Sequence, residues 1–143
     1  IDDTTIQHLH ALRGSTSIVS QEDYGQRAAD IARAAPRGDG LLAVALTDTQ
    51  VTNDGLRTLK EMPHLRFLCL RGESLSDQAF QHLTALPLEQ LIVYGRGFSG
   101  QFTRDIATIP TLRRLVIVDT RVTPEDTAAL KQALPLLSIG TRW

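Results

Sequence analysis

The sequence feature most able to support chemistry is a glycine-rich stretch, Gly95-Arg96-Gly97-Phe98-Ser99-Gly100. It follows an apparent strand that ends at Tyr94, and it opens a segment with helical periodicity. Asp119 closes the next apolar run downstream of these glycines. A G-x-G-x-x-G turn can admit a pyrophosphate to a helix N-terminus, and a later acid can then hold a ribose. The alternative function predicted from this stretch is a nucleotide-binding enzyme fragment that uses residues 95–100.

Three observations favour a structural role for these glycines. The sequence from Asp119 to Trp143 is too short for the remaining strands of a doubly wound sheet. Glycines between a strand and a helix also serve tight turns. In addition, Phe98 and Ser99 fall in a pattern that recurs along the chain.

Other candidate groups for chemistry are isolated from one another. Cys69 is the only cysteine, and no histidine lies at a motif spacing from it, so we expect a small apolar contact rather than a nucleophile. His8 and His10 would face different sides of a helix, and His64 and His82 lack a carboxylate cluster at ligand spacing. We therefore expect no metal, no cofactor and no enzymatic activity.

Composition narrows the range of partners. The 143 residues carry a formal net charge of −1 and no basic run, so nucleic-acid binding is disfavoured. No apolar stretch approaches the length of a membrane span, and no membrane insertion is expected. The N-terminus, Ile1-Asp2-Asp3-Thr4, does not resemble a signal peptide and lacks methionine. The expected localisation is cytoplasmic.

A repeat of about two dozen residues organises most of the chain. An apolar residue followed by a hydroxyl residue recurs at Val51-Thr52, Leu75-Ser76, Phe98-Ser99 and Val122-Thr123. Each pair precedes about ten residues of helical pattern and then a proline: Pro63, Pro87, Pro110 and Pro135. The hydroxyl residues suit helix N-caps, and the prolines suit helix ends. A period of this length indicates stacked units rather than a closed globule.

Each unit also carries a strand pattern of the form L-x-x-L-x-L. The four apolar triplets are Leu41, Val44, Leu46; Leu65, Leu68, Leu70; Leu88, Leu91, Val93; and Leu112, Leu115, Ile117. The helices have a buried column at Leu59, Leu83, Ile106 and Leu130. Stacking would place these leucines between a parallel sheet and a row of helices.

The two ends of the chain depart from the repeat. We predict that residues 1–38 form a helical N-terminal cap and that residues 39–143 form the repeat array. The stretch from Leu136 to Ile139 is predicted to begin a fifth strand.

The pattern resembles the leucine-rich repeat family, in its ribonuclease-inhibitor-like variant. The matching residues are Leu112-x-x-Leu115-x-Ile117-x-x-Thr120-x-Val122-Thr123, and the same frame runs from Leu41 to Leu56. The resemblance covers about residues 39–139. It implies an α/β fold: a right-handed solenoid with a parallel sheet on its concave face and true helices on its convex face. It also implies side-chain hydrogen bonding by Thr120 and a sheet face that binds other proteins.

If the leucines point inward, the intervening strand residues form three outward columns. The middle column is wholly apolar and is predicted to form the centre of an exposed binding patch. The predicted partner-binding residues are Phe67, Cys69, Arg71, Ile92, Tyr94, Val116 and Val118. A polar rim is predicted at Asp48, Arg96, Asp119 and Arg121.

These observations predict a non-catalytic module that binds another protein on the concave sheet face. A second alternative is a structural subunit whose sheet face is buried in an assembly. That alternative includes self-association or contact with a further domain.

Overall fold

The computed structural model describes residues 43–47, 52–61, 65–71 and 75–141. They contain one open, five-stranded parallel sheet whose strand order follows the chain. The strands are β1 (Ala43–Thr47), β2 (Phe67–Arg71), β3 (Gln90–Tyr94), β4 (Arg114–Val118) and β5 (Ser138–Gly140). The protein is therefore an α/β structure with strands of five or three residues.

The register of the sheet repeats the sequence period. Leu68 pairs with Leu91, and Leu91 pairs with Leu115, so the predicted interior row is confirmed. Successive partners lie one repeat length apart in the chain, and one face of the sheet therefore carries the leucines of every unit. The predicted fifth strand is also confirmed, because Leu115 pairs with Ile139.

The segments between the strands are short helices of two kinds. Two are 3₁₀ helices, η1 (Gly55–Glu61) and η2 (Asp77–His82), and two are α-helices, α1 (Gln101–Ile106) and α2 (Pro124–Ala133). We define a unit as one of the strands β1 to β4 together with the helix that comes after it. The family resemblance implied an α-helix in each unit. This expectation is wrong for the first two units, whose helices are 3₁₀ helices.

Capping chemistry distinguishes α2, the longest of the described helices. The Thr123 hydroxyl accepts a hydrogen bond from the Asp126 amide, and the Asp126 carboxylate accepts one from the Thr123 amide. Pro124 occupies the first helical position, where its missing N–H costs nothing. By contrast, Ser76 before η2 makes no side-chain cap bond. The N-cap position is confirmed for both Thr123 and Ser76, but of these two only Thr123 makes the predicted hydroxyl bond to a first-turn amide.

A single apolar core fills the space between the sheet and the helices. It includes the predicted helix column, Leu59, Leu83, Ile106 and Leu130, each at most 1% exposed. Three aromatic rings fill the space between η2 and α1, with Phe80 stacked on Phe102 at 4.6 Å and edge-on to Phe98 at 5.7 Å. Burial of side chains this large supplies about 1.5–3 kcal/mol each.

Several predictions fall on residues outside the described ranges. These are the helical cap over residues 1–38, the rim residue Asp48, and His8, His10 and His64. Within the described part of the chain, no helix is both long and apolar enough to cross a membrane.

Candidate functional site

The carboxyl ends of three neighbouring strands bring Arg71, Tyr94 and Val118 into one row. The sheet register pairs Arg71 with Tyr94 and Tyr94 with Val118. All three side chains are half-buried. The Arg71 guanidinium carbon lies 4.6 Å from the centre of the Tyr94 ring, within the range of a cation–π contact. These three residues, which we call the strand-end row, present a positive charge over an aromatic surface.

Charged residues border the strand-end row on the loops that follow β3 and β4. Arg96 Nε lies 3.3 Å from an Asp119 carboxylate oxygen, and both side chains are exposed. Asp119 has a φ of 51°, a left-handed conformation that aspartate tolerates better than most residues. Arg121 is also exposed. Arg96 and Asp119 thus lie on the loops next to the row, and Arg121 lies three residues beyond Val118.

The middle column of the sheet is not exposed. Cys69 and Val116 are 1% and 2% exposed, and Ile92 between them is 5% exposed. Phe67, in the adjacent column, is 2% exposed. The prediction of an exposed apolar patch at these four residues is wrong. Their assignment to partner binding stays a prediction.

Burial also determines the chemistry of Cys69. Removal from water raises the pKa of its thiol to about 12, although the nearby Arg71 charge acts in the opposite direction. At neutral pH the sulfur is therefore a protonated thiol and a poor nucleophile. The expected role of Cys69 as a small apolar contact agrees with this environment.

The glycine-rich loop has a structural explanation at each glycine. Gly95 has a φ of +126°, a conformation that residues with a side chain rarely adopt. A Cβ on Gly97 would collide with the backbone carbonyl oxygen of Leu75. A Cβ on Gly100 would overlap the Asp126 carboxylate. Gly95 is therefore needed for the turn and Gly97 for close packing between units, while Gly100 leaves the space that the Asp126 side chain fills.

Carboxylates surround the helix start at which a phosphate would sit. Asp77 accepts a hydrogen bond from the Ser99 amide at 2.8 Å, and Asp126 lies against Gly100. Burial and the charge of Asp77 both raise the pKa of Asp105, the first being the larger cause. The predicted ribose ligand Asp119 pairs with Arg96 instead. A nucleotide phosphate would meet negative charge here, so the geometry gives the nucleotide alternative no support.

The side-chain hydrogen bonds that join neighbouring units were not predicted from the sequence. The Asn53 side chain accepts from the Ser76 amide at 3.0 Å and donates to the Ser76 hydroxyl at 2.8 Å. Asp77 accepts from both the amide and the hydroxyl of Ser99. Asn53 and Asp77 each directly follow a hydroxyl residue of the repeat. This shared position is the sequence pattern from which the bonds could have been predicted. The implied ladder residue Thr120 instead has a hydroxyl that accepts locally from the Val122 amide at 3.4 Å.

The described histidine, His82, is the last residue of η2. Its Nδ1 is buried without a hydrogen-bond partner, and burial followed by the charges of Lys60 and Arg57 lowers its pKa. Among the residues that the structure describes, no group of three or more metal-ligating side chains comes together.

Comparison with known proteins adds no family to these observations. No protein-family model matches the chain, and no curated protein matches it in sequence. The strand-end row and its surroundings are therefore the basis for any functional inference.

Proposed function

We propose that this chain is a non-catalytic protein-interaction module of the leucine-rich repeat type, a right-handed solenoid that binds a partner protein on its concave sheet face. The contact surface is the strand-end row, Arg71, Tyr94 and Val118, with the bordering residues Arg96, Asp119 and Arg121. The apolar middle column lies beside this row on the same face of the sheet. Right-handed connection is the rule for parallel strands joined through helices.

The in-register strand-end row is the observation that carries this proposal. Its three residues come from three units, and the hydrogen bonds of the sheet hold their backbone in place, so little backbone ordering entropy is lost on binding. Tyrosine and arginine are among the residue types most enriched at positions that dominate binding energy. A cation–π contact close to solvent is worth about 0.5–1 kcal/mol. The contact with Arg71 therefore helps to hold the Tyr94 ring in position.

Charge indicates the chemistry of the partner surface. Arg71, Arg96 and Arg121 contribute one positive charge from each of three consecutive units, and Asp119 offsets one of them. A complementary partner would offer acidic side chains around an apolar or aromatic group that packs on Tyr94 and Val118. Three strands span only about 10 Å. The contact is thus smaller than a standard interface, and we expect transient, salt-sensitive binding.

A capture experiment with matched variants tests this function. The immobilised chain, its Tyr94→Ala variant and an Arg104→Ala control are incubated with cell extract, and bound proteins are quantified by mass spectrometry. Arg104 is exposed on α1, on the helix side of the sheet. We expect proteins retained by the wild type and the control to be depleted by Tyr94→Ala at unchanged urea midpoint. Equal retention by all three chains contradicts the proposed surface.

Solution mass distinguishes this function from a structural subunit. Light scattering over a hundredfold range of concentration should give the monomer mass if the row is available to a different protein. An obligate multimer that dissociates on Tyr94→Ala substitution would instead assign the row to self-assembly.

A further inference from the structure

An exposed ion pair lies immediately beyond the strand-end row. Arg96 Nε donates to an Asp119 carboxylate oxygen at 3.3 Å. The side chains of Arg96 and Asp119 keep 82% and 54% of their surface in water. An ion pair this exposed contributes little to stability, because water and salt screen its charges. The pair can therefore open at little cost when another charged group competes for either partner.

The backbone places both partners of this ion pair next to the strand-end row. Asp119 directly follows Val118, and Arg96 comes two residues after Tyr94, within about 7 Å of it between Cα atoms. The Gly95 amide donates to the Val118 carbonyl oxygen at 3.1 Å, so the pairing of β3 with β4 continues into the turn. A ligand that packs on Tyr94 and Val118 would have both charges within reach of its own polar groups.

The loops after β3 and β4 carry an uneven set of charges. These loops are residues 95–100 and 119–123, all of which the structure describes. They contain two arginines, Arg96 and Arg121, and Asp119 is their only acid. Asp119 therefore offsets one of the two positive charges. An acidic partner would be attracted by the arginines and repelled by Asp119, and such repulsion contributes to specificity.

We propose that Asp119 occupies the position at Arg96 that a partner's carboxylate takes on binding, so that an acidic partner displaces Asp119 from Arg96. This inference rests on the proposed function, since it assigns a specificity-determining role to a residue that borders the same surface. A ligand with a single acid gains little when one carboxylate replaces another at Arg96. A ligand with several acids also gains from the remaining arginines, so Asp119 favours strongly acidic partners over weakly acidic ones.

Matched substitutions isolate the charge of Asp119 from its backbone role. Asp119 has a φ of 51°, and asparagine tolerates this left-handed conformation as aspartate does. Asp119→Asn therefore removes the charge and keeps the turn. Arg96→Gln removes the other partner of the ion pair. The control is Glu125→Gln, which makes the same change of charge at an exposed position in the first turn of α2.

Peptide binding measured by fluorescence anisotropy tests the exchange. The probe is a fluorescein-labelled peptide with one phenylalanine flanked by two glutamates on each side, and a second peptide carries glutamines instead. We expect Asp119→Asn to bind the glutamate peptide about threefold more tightly than the wild type does, and the glutamine peptide equally. Glu125→Gln should bind both peptides as the wild type does. The gain from Asp119→Asn should be at least about twice as large with Arg96 present as in the Arg96→Gln background.

A direct readout accompanies the affinities. The NMR signal of the Arg96 Nε–H group should move when the glutamate peptide is added to the wild type, and not when the glutamine peptide is added. If Asp119→Asn lowers the urea midpoint, Asp119→Gly replaces it, because glycine also adopts a positive φ.

Other outcomes overturn the inference. Equal gains in both backgrounds would show that Asp119 acts only through its general field and is not exchanged at Arg96. No gain, or an unmoved Arg96 signal while the Tyr94 ring signals shift, would remove the exchange and leave the strand-end row as a binding surface. Failure of every variant to bind the glutamate peptide would also overturn it. The proposed function is then decided by the Tyr94→Ala capture experiment, which involves neither Asp119 nor this peptide.

Discussion

The unit-to-unit junctions of this molecule fall into two kinds. At the first two, Asn53 and Asp77 each reach forward to the hydroxyl residue that precedes the next helix, Ser76 and Ser99 respectively. At the third, the equivalent residue is Gly100, which has no side chain. Asp126, inside the next helix, fills the space and binds Thr123 itself.

The two kinds of junction supply a hydrogen-bond acceptor to a backbone amide in two different ways. The backbone amide of the residue before each of these helices needs an acceptor because an unpaired amide out of water costs about 1–3 kcal/mol. In the first kind, a side chain of the previous unit supplies the acceptor, and the hydrogen bond links the two units. A capping box supplies it locally and goes with the longest α-helix, α2. The first kind couples neighbours, and the second makes a helix start more independent of its neighbour.

The largest expected effect comes from Gly97, which packs against the backbone of the preceding unit. Gly97→Val would force a side chain into the Leu75 carbonyl, and we expect a loss of about 3 kcal/mol or more in the free energy of unfolding. Arg121, at the equivalent position of the next unit, is exposed and tolerates a side chain. Urea denaturation measures both, with Arg121→Val as the control expected to change stability by less than about 0.5 kcal/mol. Similar losses at both positions would show that Gly97 is not specially crowded.

Asp77→Ala removes the acceptor that joins the second and third units. We expect a loss of about 2 kcal/mol, since the Ser99 amide and hydroxyl both lose a charged partner. Asp77→Asn should restore at least half of this, because Asn53 already performs the same function one unit earlier. The exposed first-turn acid Glu125, changed to alanine, is the control.

A second measurement separates this loss from general damage to the fold. The charge of Asp77 helps to raise the pKa of Asp105. NMR titration of folded Asp77→Asn should therefore find the Asp105 pKa closer to its ordinary value. An unchanged Asp105 titration would mean that the two carboxyl groups do not interact in solution.

The third junction can be converted to the other kind. Gly100→Asp alone should destabilise by about 1–2 kcal/mol, because its Cβ displaces the Asp126 carboxylate. Asp126→Ala alone should lose about 1 kcal/mol with its cap. Together the new Asp can reach Thr123 as Asp77 reaches Ser99. A double-mutant cycle should give a favourable coupling of about 1 kcal/mol, and additive losses would contradict the equivalence of the two arrangements.

The smallest expected effect is a pH dependence from His82 near the second junction. Its folded-state pKa lies below the ordinary 6.5, so the unfolded chain binds a proton more readily. The free energy of unfolding should therefore fall as pH is lowered through 6.5 towards the folded pKa. His82→Gln should flatten this part of the profile, as measured by urea midpoints from neutral to mildly acidic pH. A profile with the same slope in the variant would assign the dependence to other groups.

Much of the sheet was predictable because its determinants are local and periodic. The L-x-x-L-x-L pattern placed Leu68, Leu91 and Leu115 in one row, and the sheet register agrees. The capping box at Thr123 was predictable for the same reason, since all its parts lie within a single helical turn. The strand-end row follows directly from the register.

The junctions and the burial of the middle column were not predictable in this way. Asn53 and Ser76 are 23 residues apart, and neither residue type by itself indicates the other as a partner. The glycine-rich loop matched a phosphate-binding pattern because turns and phosphate sites both need residues without a Cβ. Phe67 was expected to be exposed because strand alternation identifies a face but does not identify what covers it.

The amino-acid sequence by itself determined the spacing of the strands, their register and which side chains share an interior row, because side-chain periodicity acts over a few residues at a time. The tertiary structure decided which carboxylate or amide satisfies each helix start, and that the apolar middle column is removed from water. Those outcomes depend on which groups meet across units, and only the assembled sheet brings such distant groups within a hydrogen bond or a van der Waals contact.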